Sequence, residues 1–149
     1  MSDTSAKAVL QVMVLAASLE QRFSPVFGSV HGLSLSDFLL LLNVARAPLQ
    51  RMRRADLAAA MSVGQSSISH MADPLEKMGL VSRQADERDG RIVYVVLTAT
   101  GRQTVAEAEA TLAELSERIF DNRWAKKDIE AFIVRLGQLT YGSLGYLSK

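Results

Sequence analysis

One stretch limits what this chain can become: Ser62 to Arg91, reading SVGQSSISHMADPLEKMGLVSRQADERDGR. Ile68, Met71, Ala72, Leu75 and Met78 recur at i, i+3, i+4, i+7 spacing, the pattern of a helix buried along one side. Ser66, Ser69, His70, Asp73 and Lys77 fall on the other side of that wheel. Gly79 is a helix stop, because glycine takes the left-handed conformation that ends a helix at no steric cost. Val81 to Gln84 then reads as a short strand, and Ala85 to Gly90 as a polar turn. A helix whose outer face carries short polar side chains, followed by an arginine-bearing hairpin, suggests insertion into a nucleic-acid groove.

The flanking segments give that stretch its frame. Lys7 to Val30 reads as a helix too apolar all round for a solvated surface, so it is expected between other elements or in an oligomer interface. Pro25 lies well inside it, and the lost backbone donor predicts a kink or break near Arg22–Pro25. Ser34 is placed to cap a second helix, running through Phe38 to about Arg46, whose apolar character marks it as the buried centre. Pro48 closes it, and the residues around Met52 read as a one-turn strand or a loop. Arg54 to Met61 is a short helix, with Leu57 and Met61 facing inward, and Ser62-Val63-Gly64 turns into the next one. Arg91 to Leu97, rich in β-branched residues, is a strand that pairs with Val81–Gln84 around a tip at Asp86 to Gly90. Thr98 is placed to cap a helix from about Thr100 to Phe120. A last helix is expected from about Trp124 to Leu147, with Ile129, Phe132, Ile133, Leu136 and Leu139 at core spacing. The fold class is mainly α with a small β-hairpin wing (α+β), and Pro74 predicts a visible kink in the helix before the wing.

Bulk properties exclude several alternatives. The 149 residues favour one domain, 1–149. No apolar run reaches the roughly 18 residues that span a bilayer, and no signal peptide is evident, so a cytoplasmic protein without a membrane partner is expected. The absence of cysteine rules out disulfides, thiolate-bound zinc and thiol redox sensing, and two histidines 39 positions apart argue against a metal site or cofactor. Net charge is only +1, but the small basic excess lies in residues 51–102, which hold eight basic and six acidic side chains. Six of the eight are arginines beside the opening stretch or in its hairpin: Arg51, Arg53, Arg54, Arg83, Arg88 and Arg91. Catalysis is not expected. Ser69 and His70 are adjacent on a helix and cannot form a triad, Gly64-Gln-Ser-Ser-Ile68 lacks the closing glycine of a nucleophile elbow, and there is no phosphate-binding glycine loop.

At Leu75-Glu-Lys-Met-Gly-Leu-Val-Ser-Arg83, Asp86-Glu-Arg-Asp-Gly-Arg91 and Val96-Leu-Thr-Ala-Thr-Gly101, the chain resembles the MarR-type (multiple antibiotic resistance regulator) winged helix-turn-helix transcriptional regulators. It departs from their common pattern at Pro74, at Gly64-Gln65 and at Gly90. The resemblance implies a winged helix-turn-helix core over about 34–100, with dimerisation helices over about 7–31 and 100–147. It also implies a homodimer on palindromic double-stranded DNA and a small effector, by the family's habit an aromatic or lipophilic acid.

Candidate DNA contacts follow from combining the two readings. Gln65, Ser66, Ser67, Ser69 and His70 occupy the first turns of the recognition helix, the part that enters the major groove. For the serines the competing reading is a helix cap, and by wheel angle Ser67 leans toward the core. Arg88 and Arg91 form the wing, where an arginine enters the narrow minor groove or, for Arg91, serves the wing's own structure. Arg53 and Arg54 are placed for phosphate or plain solvation. Phe27, His31 and Phe38 are candidates to line an effector pocket, against ordinary core packing. The expected function is a ligand-responsive, sequence-specific repressor. The alternative is a winged helix turned protein-interaction module without specific DNA binding.

Overall fold

The computed structural model describes residues 2–139 and 146–147. The elements are α1 (Ser2–His31), α2 (Leu35–Arg46), a 3-10 turn (Pro48–Gln50), β1 (Arg51–Arg53), α3 (Arg54–Met61), α4 (Gln65–Lys77), β2 (Val81–Ala85), β3 (Val93–Leu97), α5 (Ala99–Phe120) and α6 (Lys126–Leu139). They fall into two compact units, Met1–Leu35 and Ser36–Lys149. Among the described residues, no single helix is both long enough and apolar enough to cross a bilayer.

The first unit is α1 and its exit. The helix continues through Pro25 without the break expected there. Pro25 and Gln21 are both exposed, so the carbonyl that loses its partner can turn to water and the helix need not stop. Gly32, at φ +68°, ends the helix, with Gly32 N–H donating to Gly28 and Leu33 N–H to Phe27. Phe23 and Phe27 are buried, whereas Val9, Leu10, Met13 and Val14 are exposed along the N-terminal half.

The second unit is built on α2. Phe38, Leu40, Leu41, Leu42 and Val44 are buried, as its composition requires. Asn43, fully buried beside them, donates weakly to the Leu39 carbonyl and accepts from Tyr146 N–H at 2.9 Å, so its amide is not left unpaired. Leu57 of α3, then Ile68, Ala72 and Leu75 of α4, close the other side of the core.

A three-stranded antiparallel sheet, ordered β1-β3-β2, completes the core. The residues around Met52 form a true strand: Met52 is buried and pairs with Val95, while Arg83 pairs with Val95 from the other side. The return strand begins at Val93, two residues later than its composition suggests. Ile92 is taken by the turn, its carbonyl accepting from Asp86 N–H and its N–H donating to Asp89.

The end of α4 is specified locally. Gly79 sits at φ +77°, its N–H donates to Glu76, and Leu80 N–H reaches back to Leu75. This is the paired closure in which glycine takes the left-handed position and the next apolar residue folds onto the last turn. Leu80 therefore takes the buried position that the helical spacing assigns to Met78, which is 47% exposed.

Thr98 caps α5 as expected, its hydroxyl oxygen accepting from Gly101 N–H at 3.0 Å. Gly101 is buried against the Leu80 carbonyl, where an added Cβ would sit 2.1 Å from that oxygen. The last helix differs most from expectation. It begins at Lys126, after a turn with Asp121 and Asn122 at positive φ, and buries none of its residues. Ile133 and Leu139 are more than 60% exposed. Beyond Leu139 the expected helix lies outside the described residues, apart from Tyr146 and Leu147, which form a turn.

Replacing Gly101 with alanine is expected to destabilise the fold by about 3 kcal/mol, the upper range for overpacking a rigid site. The contact is to backbone, which cannot rotate aside. A denaturant melt of Gly101→Ala that matches wild type would disprove the close approach.

Candidate nucleic-acid interface

The reading helix divides into three faces, and arginines decide the division. Ile68, Ala72 and Leu75 are buried. The flank formed by Ser69, Asp73 and Glu76 is half-buried because two arginines lie on it. Arg54 donates from Nη1 to the Ser69 hydroxyl at 3.2 Å. Arg83, on β2, donates from Nη2 to Asp73 at 2.6 Å and to Glu76 at 2.9 Å, and its backbone N–H meets the second Glu76 oxygen at 3.1 Å. The Arg83 guanidinium holds Glu76 below the usual carboxylate range, and Glu76, then Asp73, raise the arginine in turn.

What remains exposed is Ser66, Ser67, His70, Pro74 and Lys77, with Gln65 at the edge. This corrects the wheel in two places. Ser67 does not lean into the core but is exposed. Ser69 and Asp73 do not face outward freely, because Arg54 and Arg83 pull the burial toward their side of the helix. The helix also runs on through Pro74, whose i−4 carbonyl belongs to exposed His70. Four of the five predicted reading residues, Gln65, Ser66, Ser67 and His70, thus share a solvent-facing surface at the start of α4, and Ser69 is tied to Arg54.

The wing is organised by two aspartates. Asp86 Oδ1 accepts the backbone N–H groups of Arg88 at 2.8 Å and Asp89 at 3.1 Å, closing the tip, while its other oxygen takes the Tyr94 hydroxyl at 3.4 Å. Asp89 accepts from Arg91 three times, at its backbone N–H (3.0 Å), Nε (3.1 Å) and Nη2 (3.2 Å). Arg91 thereby serves the wing's own structure, although its side chain is 92% exposed. Arg51 lies over the Tyr94 ring, 4.3 Å from its centroid. Of the six arginines, Arg53 and Arg88 are exposed and make no side-chain ion pair or hydrogen bond among the described residues. Arg88 stands at the tip.

The predicted effector residues are distributed between the units. Phe27 and His31 form a tilted ring pair at 5.7 Å in the first, Phe27 buried and His31 half-buried. Phe38 is buried in α2 of the second. The sequence places Asp86 and Asp89 to orient the wing arginines; Asp89 does so for Arg91, Asp86 instead holds backbone N–H groups, and the structural task of Arg83 was missed. The signal for Arg83 was available: carboxylates three apart on one helix flank, and a strand arginine two residues beyond buried Val81.

A helix presenting small polar groups, set beside an arginine-tipped hairpin and preceded by a short helix, defines a winged helix-turn-helix protein. Residues 33–93 match the model of the MarR family. The HTH-type transcriptional repressor Rv2887 of Mycobacterium tuberculosis is 28% identical over 126 residues, covering 83% of this chain and 86% of the relative. The structure of AbsC, a MarR family transcriptional regulator from Streptomyces coelicolor, superposes with a TM-score of 0.79 at 26% identity, covering 93% of each chain. Sco3205, a MarR family regulator of the same organism solved in complex with DNA, shares the fold at a TM-score of 0.77 and 22% identity, over 97% of this chain and 94% of that one. The fold is that of a winged helix-turn-helix protein, and over residues 33–93 the chain is similar to the MarR family, to which the regulators AbsC and Sco3205 belong.

The tip should respond to acid with a defined sign. Asp86 is held low chiefly by the N–H groups of Arg88 and Asp89, and Asp89 chiefly by the Arg91 side chain. Carboxyls lowered on folding contribute stability above their unfolded values, about 4, and that contribution is lost as pH falls through the lower folded values. The Arg88 and Asp89 amide resonances should therefore stay fixed down to pH of about 4 and move only below it. Movement centred at or above the unfolded value would remove the proposed locking of the tip.

Proposed function

We propose that this chain is a sequence-specific DNA-binding transcriptional regulator, acting in the cytoplasm as a homodimeric repressor on a palindromic site. The observation that carries this reading is the exposed, small and uncharged start of α4, Gln65 to Ser67 with His70, accompanied by a wing whose tip residue, Arg88, is exposed and makes no side-chain ion pair or hydrogen bond among the described residues. The repressor relative and the DNA complex solved on the same fold support it. Ser66 and Ser67 can meet base or phosphate acceptors, His70 a guanine or a phosphate, and Gln65 an adenine edge. Ser69 acts through Arg54. Arg88 enters the adjacent minor groove, where the potential is most negative. Arg53, Arg54 and Arg91 face the backbone.

Dimerisation is supported by apolar surface that water would not favour. Leu10, Met13 and Val14 on α1, and Ile133, Val134 and Leu139 on α6, are each more than half exposed in the single chain. In the dimer all 149 residues act as one MarR-like domain, with the two α4 helices about one DNA turn apart, roughly 34 Å. For an effector, an aromatic or lipophilic acid, Phe27, His31 and Phe38 are the residues to test. No metal or organic cofactor is invoked.

Gel shifts against DNA upstream of the chain's own coding region test the reading. Arg88→Ala should weaken binding about tenfold, the scale of one charge-assisted contact. Wild-type binding that matches Arg88→Ala at low salt, with neither sensitive to salt, would favour the protein-interaction reading instead. Sedimentation should show a dimer at micromolar concentration, and Val134→Glu should shift it toward monomer. A well-folded wild-type monomer would contradict the dimer.

A further inference from the structure

Behind the reading face lies a small cavity of about 190 Å³, lined by Arg53, Arg54, Ala55, Gln65, Arg91, Ile92 and Val93. Three guanidinium groups and one carboxamide border it, and no carboxylate does. The nearest acidic influence comes from the wing: Asp89 is bonded to Arg91, and Arg53 acts on both Asp86 and Asp89 through space. Even with Asp89 counted against Arg91, Arg53 and Arg54 remain uncompensated by any ion pair among the described residues. Arg54 also has a buried Nε–H with no acceptor among those residues, although its Nη1 is occupied by Ser69. A buried donor without an acceptor is unfavourable and rare in folded proteins. Ala55, Ile92 and Val93 supply an apolar wall, which lowers the local dielectric and strengthens any charge pairing there.

The place of this cavity in the fold identifies its occupant. Gln65 opens the helix assigned to the major groove. Arg91, Ile92 and Val93 lead out of the wing assigned to the minor groove, and Arg53 and Arg54 form the β1–α3 junction between them. The structure that separates two adjacent grooves of a duplex is a sugar-phosphate strand. We infer that this cleft holds one backbone phosphodiester, gripped by Arg53, Arg54 and Gln65 with Arg91 at its rim, and so fixes the register of helix and wing on the duplex.

The assignment rests on the DNA-binding reading and sharpens it. Gln65 moves from base reader to backbone holder, leaving Ser66, Ser67, His70 and Arg88 to face the grooves. A phosphate held by several groups also behaves differently from several phosphates held singly. Removing one held phosphate lowers the slope of log affinity against log salt by about 0.9, however many of its holders are replaced.

The test compares wild type with Arg53→Gln and with the double variant Arg53→Gln/Arg91→Gln, both changes at exposed positions, after thermal melts confirm that each folds. Affinity is measured from about 50 to 200 mM salt, a range over which many phosphate contacts together change affinity by roughly 10³–10⁵-fold. The inference expects the affinity of both variants to fall alike on operator and unrelated DNA, and the slope of the double variant, which keeps Arg54, to fall by no more than the roughly 0.9 of one phosphate. His70→Ala, by contrast, should alter sequence preference and leave the slope unchanged. If wild type binds DNA in a salt-dependent way and the double variant keeps both its affinity and its slope, or loses more slope than one phosphate supplies, the cleft assignment is overturned while the DNA-binding reading stands. If wild type binds no DNA, that reading falls, and titration with dimethyl phosphate, read by the Arg54 Nε resonance, judges the cleft alone. Saturable binding lost in the double variant supports an anion site filled by a soluble ligand, and no binding overturns it.

Discussion

The Leu80 carbonyl is the point on which the winged lobe depends. It accepts from Thr98 N–H at 3.1 Å and faces the Thr98 hydroxyl at 3.0 Å, while Gly101 packs directly against it. Three elements meet there: the end of the recognition helix, the base of both wing strands, where Val81 pairs with Leu97, and the first turn of α5. Thr98 acts on two of them at once, capping α5 through Gly101 N–H and holding the Gly79–Leu80 turn. The junction works only because Gly79 adopts positive φ and Gly101 lacks a Cβ. Backbone hydrogen bonding, not side-chain volume, therefore sets the angle at which α4 leaves the core.

A second connection, between side chains 10 residues apart in the chain, fixes the wing to the helix that it accompanies. Arg83 bridges Asp73 and Glu76 from the middle of β2, so helix and hairpin move as one body in the proposed complex. The same pattern recurs through the lobe: Asp89 holds Arg91, and Tyr94 carries Arg51 on its face. Most of the arginine content is thus spent on internal geometry. This explains how a chain of net charge +1 can present a reading surface at all. A few cations, Arg53 and Arg88 above all, are kept for an outside partner by surroundings that are themselves neutralised.

Much of this was legible in the residues, and the part that was not has a physical pattern. The α4 stripe, the Gly79 stop, the Thr98 cap and the two wing strands all arise from local rules, and they appear within one or two residues of where periodicity and capping put them. The third strand at Met52 was legible only as one of two alternatives, a one-turn strand or a loop, because three residues carry no alternation and the pairing comes from β3 across the sheet. Ser67 and Ser69 exchanged roles because a helical wheel knows only the apolar stripe, while two arginines from distant elements cover one polar flank. Pro25 does not break its helix because it sits on an exposed face, where a freed carbonyl meets water and the helix tolerates the loss. The α6 stripe has true core spacing, yet buries nothing in a single chain. In the proposed homodimer the second copy would cover that stripe, a burial that the described residues of one copy do not supply.

The reading face itself now has a narrower task. Ser66 and Ser67 are short, and a hydroxyl can donate or accept, so each discriminates weakly between bases. Pro74 adds bulk without a hydrogen-bonding group where a longer cation would reach a phosphate. Such a face selects mainly by fit, admitting a groove whose width and methyl pattern suit it. Fit of that kind is effective only if the helix enters at a reproducible depth and register. Deep, sequence-independent anchoring at the edge of the helix is the natural complement to weak base contacts at its centre. In the proposed complex the arginines near Gln65 and at the wing would supply affinity, and the small side chains would turn it into choice by excluding sites that the fixed geometry cannot accommodate.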